Sequence, residues 1–288
     1  MEGEAPIPLR TGATVEVEVV RVDGGRVDRR TDVVAVEEPL EIRVDGETVA
    51  VTMRTPGSDG DLALGFLFAE GMIAGVRDVG SVAHCGRPGE EGWGNVIDVH
   101  SAGGHRIDPE RVLEGRRWTT TTSACGVCGR RGIEGLLSRC APVGDAQPIP
   151  AAEVLTCIAR LGSLQPVFAR TGGLHGAATF ADGGSLLASA EDVGRHNAVD
   201  KVVGALLRRG GGAPPGLAGA RLLAVSGRTS FEIVQKAAAA GIAVVAGVSA
   251  PSSLAVELAR DAGIALVGFA RGDRLNVYAH PERIMMGP

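Results

Sequence analysis

Three short apolar runs near the C-terminus decide the fold of this chain: Arg221-Leu-Leu-Ala-Val225, Ala243-Val-Val-Ala-Gly-Val248 and Ile264-Ala-Leu-Val-Gly-Phe269. Short, continuously apolar runs are typical of strands that are buried on both faces of a sheet. The intervening residues 230–240 and 252–262 have the length and apolar spacing of helices. This alternation predicts parallel strands in an α/β sheet.

The neighbouring segments extend this sheet. Residues 177–180 and 185–190 are predicted to be short strands joined by a glycine-containing turn, and residues 195–209 to be a helix. Residues 275–278 are predicted to form an edge strand. A hairpin followed by alternating helices and strands predicts a three-layer α/β sandwich with a mixed sheet.

The first part of the chain is predicted to be rich in β-structure. Alternating valines begin at Val15, and residues 40–44 are expected to pair with residues 48–53 across Asp45-Gly46, which is a strong hairpin signal. The pattern also predicts a capped helix and two further strands, within residues 54–71, 82–85 and 95–100.

The middle of the chain is expected to separate two domains. Its predicted helices are at residues 109–114, 132–140 and 151–161. The prolines within residues 141–150 favour an irregular connection there. We therefore expect a smaller β-rich domain over residues 14–118 and an α/β domain over residues 119–288.

The composition of the 288 residues is that of a globular protein, with 44% hydrophobic and 22% charged residues. The net charge of −5 argues against general binding of nucleic acid, which needs a basic excess. No apolar region follows the acidic N-terminus, and the longest apolar run, residues 237–250, is too short to cross a bilayer. Five cysteines, an odd number, fit a reducing compartment. We expect a cytoplasmic protein.

The chemistry is predicted to lie in Thr119-Thr-Thr-Thr-Ser-Ala-Cys125-Gly-Val-Cys128-Gly-Arg130-Arg131. Thiolate is the reactive form of cysteine, and nearby guanidinium groups and a helix N-terminus lower the pKa of a thiol. Cys125 and Cys128 are therefore candidates for reactive sulfur. The alternative is a pair of buried structural thiols.

Zinc binding is a further alternative for this motif, because one C-x-x-C pair supplies half of a zinc site. The sequence has no second C-x-x-C and no histidine pair at finger spacing. Cys85, Cys140 and Cys157 are scattered, and the last two fall in predicted helices, where buried thiols behave as small hydrophobic residues. We expect no metal site.

Polar residues follow the predicted parallel strands. Ser226, Arg228, Thr229 and Ser230 come after the first strand, and Ser249 comes after the second. Backbone N–H groups at the start of a helix, together with the helix dipole, form an anion site. Two adjacent sites favour a ligand with more than one phosphate, although each sequence also fits an ordinary helix cap.

A third polar segment, residues 268–274, follows the last buried strand and carries Arg271 and Arg274. The pattern predicts a turn that adds two guanidinium groups to the same edge. A solvated turn is the alternative.

His175 and His196 lie in polar clusters beside predicted strands and are candidates for proton handling or ligand contact. Either histidine also fits a structural hydrogen-bonding role. Asp192 and Asp200 are expected to cap and pair on the helix.

Only two of the 29 basic residues are lysines, Lys201 and Lys236. Both fall in dense polar motifs, and lysine differs from arginine as a compact point charge. We interpret both ammonium groups as ligand contacts, with chance survival as the alternative.

With these motifs in view, the chain resembles the FdhD family of formate dehydrogenase accessory sulfurtransferases. The resemblance covers nearly everything from residue 50 to the end. It is carried by Arg54-Thr-Pro-Gly57, Leu64-Gly-Phe-Leu-Phe-Ala-Glu-Gly71, Cys125-Gly-Val-Cys128-Gly129, Thr171-Gly-Gly-Leu-His175, Glu191-Asp-Val-Gly-Arg-His-Asn-Ala-Val-Asp-Lys201, residues 226–236, Val248-Ser-Ala-Pro251 and residues 268–281.

The resemblance implies a sulfur carrier. A cysteine desulfurase would pass persulfide sulfur to the C-x-x-C motif, which would deliver it to the molybdenum of a bis-molybdopterin guanine dinucleotide cofactor destined for formate dehydrogenase. Cys125 matches the persulfide-bearing cysteine of the family and Cys128 its partner. The segment that matches the cofactor-binding turn of the family is Phe269, Ala270, Arg271, Gly272, Asp273 and Arg274.

The resemblance also implies a larger domain with a cytidine-deaminase-like fold. It does not imply deamination, because the H-x-E and P-C-x-x-C pattern is missing. We expect a homodimer. One departure from the family pattern is Ala124, where serine is common, which leaves Ser123 and the threonines as hydroxyl support.

Two other functions remain open from the sequence. A thiol-disulfide oxidoreductase would cycle Cys125 and Cys128 between dithiol and disulfide. Such a motif usually follows a strand directly, whereas this one follows a polar threonine run. A non-catalytic nucleotide-binding partner protein would keep its role without either cysteine.

Overall fold

The computed structural model describes residues 12–86, 93–103, 107, 142–144, 146–210 and 217–287. The cysteine motif, the helices predicted at residues 109–114 and 132–140, and Cys140 lie outside the described residues. The strands are β1 (Thr14–Asp23), β2 (Arg26–Ala35), β3 (Glu38–Val44), β4 (Glu47–Arg54), β5 (Val79–His84), β6 (Val96–Ser101), β7 (Ile149–Pro150), β8 (His175–Phe180), β9 (Leu186–Asp192), β10 (Leu222–Val225), β11 (Val244–Gly247), β12 (Ala265–Arg271), β13 (Arg274–Ala279) and β14 (Ile284–Met285). The helices are α1 (Asp59–Ala69), α2 (Ala151–Ser163), α3 (Pro166–Thr171), α4 (Arg195–Gly210), α5 (Phe231–Ala239) and α6 (Ser253–Asp261).

Six strands form the central sheet, in the order β13-β12-β11-β10-β8-β9. The strands β10, β11 and β12 are parallel, and β8 and β13 run antiparallel to their neighbours. The mixed sheet, its parallel centre and the edge strand β13 confirm the predictions made from the apolar runs.

The central sheet has helices on both faces. Leu222 and Ala224 of β10 pack with α2 on one face, while Leu223 and Val225 pack with α4, α5 and α6 on the other. Successive strand residues point to opposite faces, so a continuously apolar run is what a sheet covered on both sides requires. The predicted three-layer sandwich is confirmed.

A second sheet, in the order β4-β3-β6-β5, forms most of the N-terminal part. The predicted hairpin across Asp45-Gly46 is confirmed, with Val44 paired to Glu47. The helix α1 is buried along most of its length and belongs to one apolar core together with this sheet and α4. A helix that is apolar all round is one enclosed by other elements. The proposed boundary between two domains at residue 118 stays a prediction.

Some elements are absent from the sequence predictions. The strand β2 pairs with β1 in a separate two-stranded ribbon, and its residues are mostly exposed and charged. The helix α3 has six residues and the strands β7 and β14 have two each. None of these segments carries the apolar periodicity on which the predictions depend.

The helices α1 and α4 approach each other closely through two glycines. A Cβ atom at Gly65 would lie 2.0 Å from the Asp200 carbonyl oxygen, and one at Gly204 would lie 1.9 Å from the Asp61 carbonyl oxygen. A backbone carbonyl cannot rotate away as a side chain can, so only glycine fits at either position.

Gly65→Ala is therefore expected to destabilise the protein by about 1–3 kcal/mol or more, because the two helices must separate. Urea unfolding gives the measurement. Gly162→Ala in α2 is the matched control, since a Cβ there meets nothing within 4 Å. The control is expected to leave stability unchanged or slightly increased. Equal stability of the two variants would contradict the close contact.

Candidate functional site

Most of the predicted site residues that the structure describes lie at one edge of the central sheet, whereas Lys201 and Lys236 are buried below it. The carboxyl ends of β9, β10, β11 and β12 meet the amino ends of β8 and β13 there, with His175 paired to Asp192. Ligands of open α/β sheets bind outside the carboxyl ends of the strands. We call this edge, with the loops 226–230, 249–252 and 269–274, the polar edge.

Backbone hydrogen bonds hold the first two loops of the polar edge side by side. Thr229 N–H donates to the Ala250 carbonyl at 3.2 Å, and Ser252 N–H donates to the Thr229 carbonyl at 3.0 Å. The Ser226 hydroxyl accepts from Gly176 N–H at 2.8 Å, which fixes the first loop to β8. The expectation that the two loops are neighbours is confirmed.

The two helix N-termini at the polar edge differ in how their cap residues are used. The Ser252 hydroxyl caps α6 by accepting from Ala255 N–H at 3.3 Å. Ser230 is the N-cap residue of α5, but its hydroxyl makes no hydrogen bond to that helix. It lies 2.9 Å from Nε2 of His196 instead. The N-terminus of α5 therefore lacks the usual side-chain cap.

Thr229 is the buried residue of the loop 226–230. Its side chain is fully buried, and its hydroxyl has no hydrogen-bond partner among the described residues. A buried hydroxyl without a partner costs about 1–3 kcal/mol. It would lie 2.5 Å from a Cβ atom placed at Gly247, so the neighbouring strand must carry glycine.

The turn in the third loop of the polar edge contains fewer residues than predicted. The strand β12 continues to Arg271, so that only Gly272 and Asp273 form the turn before β13. Phe269 N–H donates to the Ser249 carbonyl at 3.2 Å, and Phe269 is 47% exposed. Ala270 is buried, whereas residues 271–274 are exposed. Both guanidinium groups of this segment are accessible.

His175 and His196 occupy different environments at the polar edge. Burial lowers the pKa of His175, and the positive charge of Arg195 and the neighbouring His196 lower it further. His175 is therefore neutral at pH 7 and lies beside Gly227, where a Cβ atom would be 3.1 Å from its Nδ1. The Nε2 of His196 lies 2.9 Å from Oε2 of Glu232, a residue that the sequence analysis missed.

Lys201 is buried beneath the polar edge rather than exposed in it. Its Nζ lies 2.7 Å from Oδ2 of Asp192 and donates to the carbonyls of Thr55 at 2.8 Å and Glu191 at 3.4 Å. These three acceptors match the three N–H groups of an ammonium. A contact between Lys201 and a cofactor stays a prediction, and the contacts within the protein give it a structural role.

Asp192 is the centre of this buried network. Besides Lys201 it accepts from the backbone N–H groups of Thr55 at 3.1 Å and Gly194 at 2.8 Å, and from the Asn197 side chain at 3.0 Å. The expectation that Asp192 caps the start of α4 agrees with the contacts to Gly194 and Asn197. Its contact with Thr55 also joins the two sheets.

Lys236 and Asp200 form a second buried ion pair, with Nζ 2.7 Å from Oδ1. Burial raises the pKa of Asp200 to about 6, although Lys236 opposes the shift. Burial lowers the pKa of Lys236, but the carboxylates of Asp200, Glu232 and Glu70 outweigh it and leave the pKa raised. We had expected Asp200 to pair within its own helix, and this prediction is wrong, because its partner Lys236 belongs to α5. A ligand contact of Lys236 stays a prediction.

Buried polar contacts explain the N-terminal motif Arg54-Thr55, and Thr55 belongs to the network around Asp192. The guanidinium of Arg54 binds both carboxylate oxygens of Asp59 at 3.0 Å, and Val193 N–H donates to the Thr55 hydroxyl at 3.2 Å. Sequence spacing gives no signal for these contacts, because Thr55 and Val193 are 138 positions apart.

Three site predictions concern cysteines and metals. Cys125 and Cys128 lie outside the described residues. Cys157 is buried as predicted, and burial raises the pKa of its thiol to about 11. Among the residues that the structure describes, no group of three or more His, Cys, Asp or Glu side chains is arranged to hold a metal ion. In the same part of the chain, no helix has the length and apolar character needed to cross a bilayer.

Comparisons with known proteins agree with this architecture. Residues 35–285 match the model of the FdhD/NarQ family. The chain is 64% identical over 280 residues to the sulfur carrier protein FdhD of Anaeromyxobacter dehalogenans, covering 96% of each chain. It is 50% identical to the sulfur carrier protein FdhD of Mycobacterium tuberculosis, covering 94% of this chain and 99% of the other. A crystal structure of a formate dehydrogenase accessory protein from Desulfotalea psychrophila is similar with a TM-score of 0.73 at 27% identity, over 95% of this chain and 100% of that one.

Proposed function

The chain belongs to the FdhD/NarQ family, and from this premise we propose that it is a sulfur carrier that serves the maturation of formate dehydrogenase. The observation that carries the proposal is the match of almost the whole chain to relatives named sulfur carrier protein FdhD. The similar crystal structure of a formate dehydrogenase accessory protein supports the proposed recipient.

Sulfur is taken up at Cys125 in this proposal. The Cys125 thiolate attacks the terminal sulfur of a persulfide on a cysteine desulfurase, the S–S bond of the donor breaks, and the donor cysteine leaves as a thiolate. Arg130 and Arg131 follow the motif and stabilise the thiolate form. Cys128 is the partner thiol. The product is a persulfide on Cys125.

The substrate that receives the sulfur is the molybdenum bis-molybdopterin guanine dinucleotide cofactor, bound at the polar edge. The N-terminus of α5 has no side-chain cap. This supports the assignment, because backbone N–H groups at the start of a helix bind phosphate. The exposed guanidinium groups of Arg271 and Arg274 supply further phosphate contacts. The exposed Phe269 ring offers a face for a base.

The uptake step is tested by incubating the protein with a cysteine desulfurase and cysteine and recording its intact mass. The protein is expected to gain the mass of a sulfur atom, and a thiol reductant is expected to remove it. A control without desulfurase is expected to keep its mass. An unchanged mass of the wild-type protein under loading conditions would contradict the proposal.

Arg271→Ala combined with Arg274→Ala is expected to weaken GDP binding about 10-fold or more, because the loss of even one charge-assisted hydrogen bond costs about 1.5–3 kcal/mol. Persulfide loading is expected to stay intact. Calorimetry measures the first effect and intact mass the second. The exposed arginines Arg29 and Arg30 on β2 give a double-alanine control with the same change in net charge. Equal GDP affinity of both double variants would reject the assignment of residues 269–274.

The partners in this proposal are a cysteine desulfurase as donor and formate dehydrogenase as recipient, both acting in the cytoplasm. We also propose a homodimer. Light scattering on the purified protein measures its mass in solution, and a monomer at micromolar concentration would exclude the dimer.

A further inference from the structure

Gln165 is a buried glutamine whose amide nitrogen lacks a partner. The residue directly precedes α3 and is only 5% exposed. Within the part of the chain that the structure describes, its Nε2 makes no hydrogen bond. An unpartnered buried donor costs stability, and an apolar group of the same shape at such a position is often neutral or favourable. The fold itself therefore does not need the amide of Gln165.

The amide of Gln165 lies over the end of the central sheet at the polar edge. A Cβ atom at Gly176 would be 2.5 Å from Cδ and 2.7 Å from Nε2 of Gln165, so the amide fills the space of the missing side chain. Gly176 is the second residue of β8, and its N–H donates to the Ser226 hydroxyl. The unpartnered amide therefore lies beside the loop 226–230.

A carboxylate lies next to this amide. Glu191 of β9 is directly opposite Gly176 in the sheet register, so both face the same side of the sheet, with their Cβ positions about 5 Å apart. The Glu191 carboxylate accepts from the N–H groups of Val167 at 3.0 Å and Phe168 at 2.7 Å, one on each oxygen. Because a carboxylate has about four acceptor positions, it can accept from further donors. Glu191 is only partly buried, which leaves it within reach of a ligand.

The two side chains present acceptors and a donor side by side. One edge of a pterin ring is complementary to this pattern, because its amino group and ring N–H donate and its carbonyl oxygen accepts. Guanine carries the same edge, which we call the amino-oxo edge, and both rings belong to the proposed cofactor. Adenine lacks the carbonyl oxygen, and a lumazine ring has a second oxo group in place of the amino group.

From this geometry we infer that Gln165 and Glu191 form a recognition site for the amino-oxo edge of a pterin or guanine ring. Glu191 accepts from the two donors of the ring, and Gln165 donates to its carbonyl oxygen. The inference rests on the proposed binding of the cofactor at the polar edge. The Gln165 side chain turns out from over Gly176 to make this contact, and its Nε2 gives up no hydrogen bond to a described residue when it does so.

The spacing of the strands favours the pterin ring at this site. The strands β10 and β11 lie between β8 and β12, so Gly176 and Phe269 are about 14 Å apart at about 4.8 Å per strand. A guanine ring on Phe269 cannot span that distance. The pterin lies at the other end of the dinucleotide, beyond the pyrophosphate, for which we propose the N-terminus of α5 between the two positions.

Gln165→Met keeps the length of the side chain and removes its amide. The variant is expected to bind hydroxymethylpterin about 5-fold more weakly than the wild type, because one hydrogen bond is lost. Titration of the pterin fluorescence gives this measurement, and GDP affinity in calorimetry is expected to stay unchanged. Gln235→Met is the matched control, since Gln235 is also 5% exposed, and it is expected to keep wild-type affinity for the pterin.

The ligand preference gives a readout that a purely structural role would not change. The wild-type protein is expected to bind hydroxymethylpterin about 10-fold more tightly than hydroxymethyllumazine, since a carboxylate rejects an oxo group. Glu191→Gln is expected to remove this preference, because its amide can donate to that oxo group. GDP and inosine diphosphate, which lacks the amino group, give the same comparison for guanine. Unchanged preferences in Glu191→Gln would overturn its role.

The outcomes separate this inference from the proposed function. Weaker binding of GDP alone to Gln165→Met would support the recognition site but place guanine there, away from Phe269. If Gln165→Met binds neither the pterin nor GDP more weakly than the wild type, the recognition site is overturned and persulfide loading is untouched. Failure of persulfide loading with the expected pterin preference would overturn the sulfur-carrier proposal alone.

Discussion

Cys125→Ala is expected to abolish the gain of one sulfur atom that the wild-type protein shows after incubation with a cysteine desulfurase and cysteine. The reason is chemical, because only a thiolate can attack the donor persulfide and hold the transferred sulfur. Intact-mass analysis of the two proteins, loaded side by side, gives the measurement.

Two of the remaining cysteines, Cys85 and Cys157, provide the controls for this result. Cys157 is fully buried and its thiol pKa is raised to about 11, so it cannot take over the role. Cys85 is partly exposed, which makes Cys85→Ala the informative control. That control is expected to load normally. Undiminished loading of Cys125→Ala would assign the sulfur to another residue, and insulin reduction by the wild-type protein would favour the thiol-disulfide alternative.

The central sheet could be predicted because burial on both faces leaves a local signal. Each of the strands β10, β11 and β12 is a short apolar run followed by polar residues. All three strands lie in the interior of the central sheet, where both faces are covered. The polar loops after β10 and β11 could be placed at one edge for the same reason, since parallel strands end together. The strand β2 left no such signal, because its exposed charged residues need no apolar alternation.

The contacts within the polar edge could not be predicted, because they join residues that are distant in sequence. Ser230 meets His196 from 34 positions away, and Lys201 meets Thr55 from 146 positions away. The interpretation of both lysines as ligand contacts used their rarity and their position in dense polar motifs. The structure supplies another physical reason for their presence, since each ammonium lies in a buried pair where a compact cation fits.

Lys201→Met is expected to lower the free energy of unfolding by about 3–5 kcal/mol, because it leaves the charge of Asp192 buried without its cation. Asp192 is inaccessible to solvent, so water cannot replace the ammonium without local opening. The hydrogen bonds that the backbone N–H groups of Thr55 and Gly194 donate to Asp192 would remain, but these groups carry no net charge. Urea unfolding of the variant and the wild type measures the loss.

The same helix contains the matched control for this prediction. Arg208 of α4 pairs with Asp61 at 2.7 Å, a distance equal to that of the Lys201–Asp192 pair, but its side chain is 48% exposed. Arg208→Met is expected to cost at most about 1 kcal/mol, since water solvates both charges of an exposed pair. Equal losses in the two variants would show that burial does not decide the strength of the Lys201 pair. A large loss for Lys201→Met alone, accompanied by weaker GDP binding, would show that the buried network beneath the polar edge also holds the loop before α4 in place.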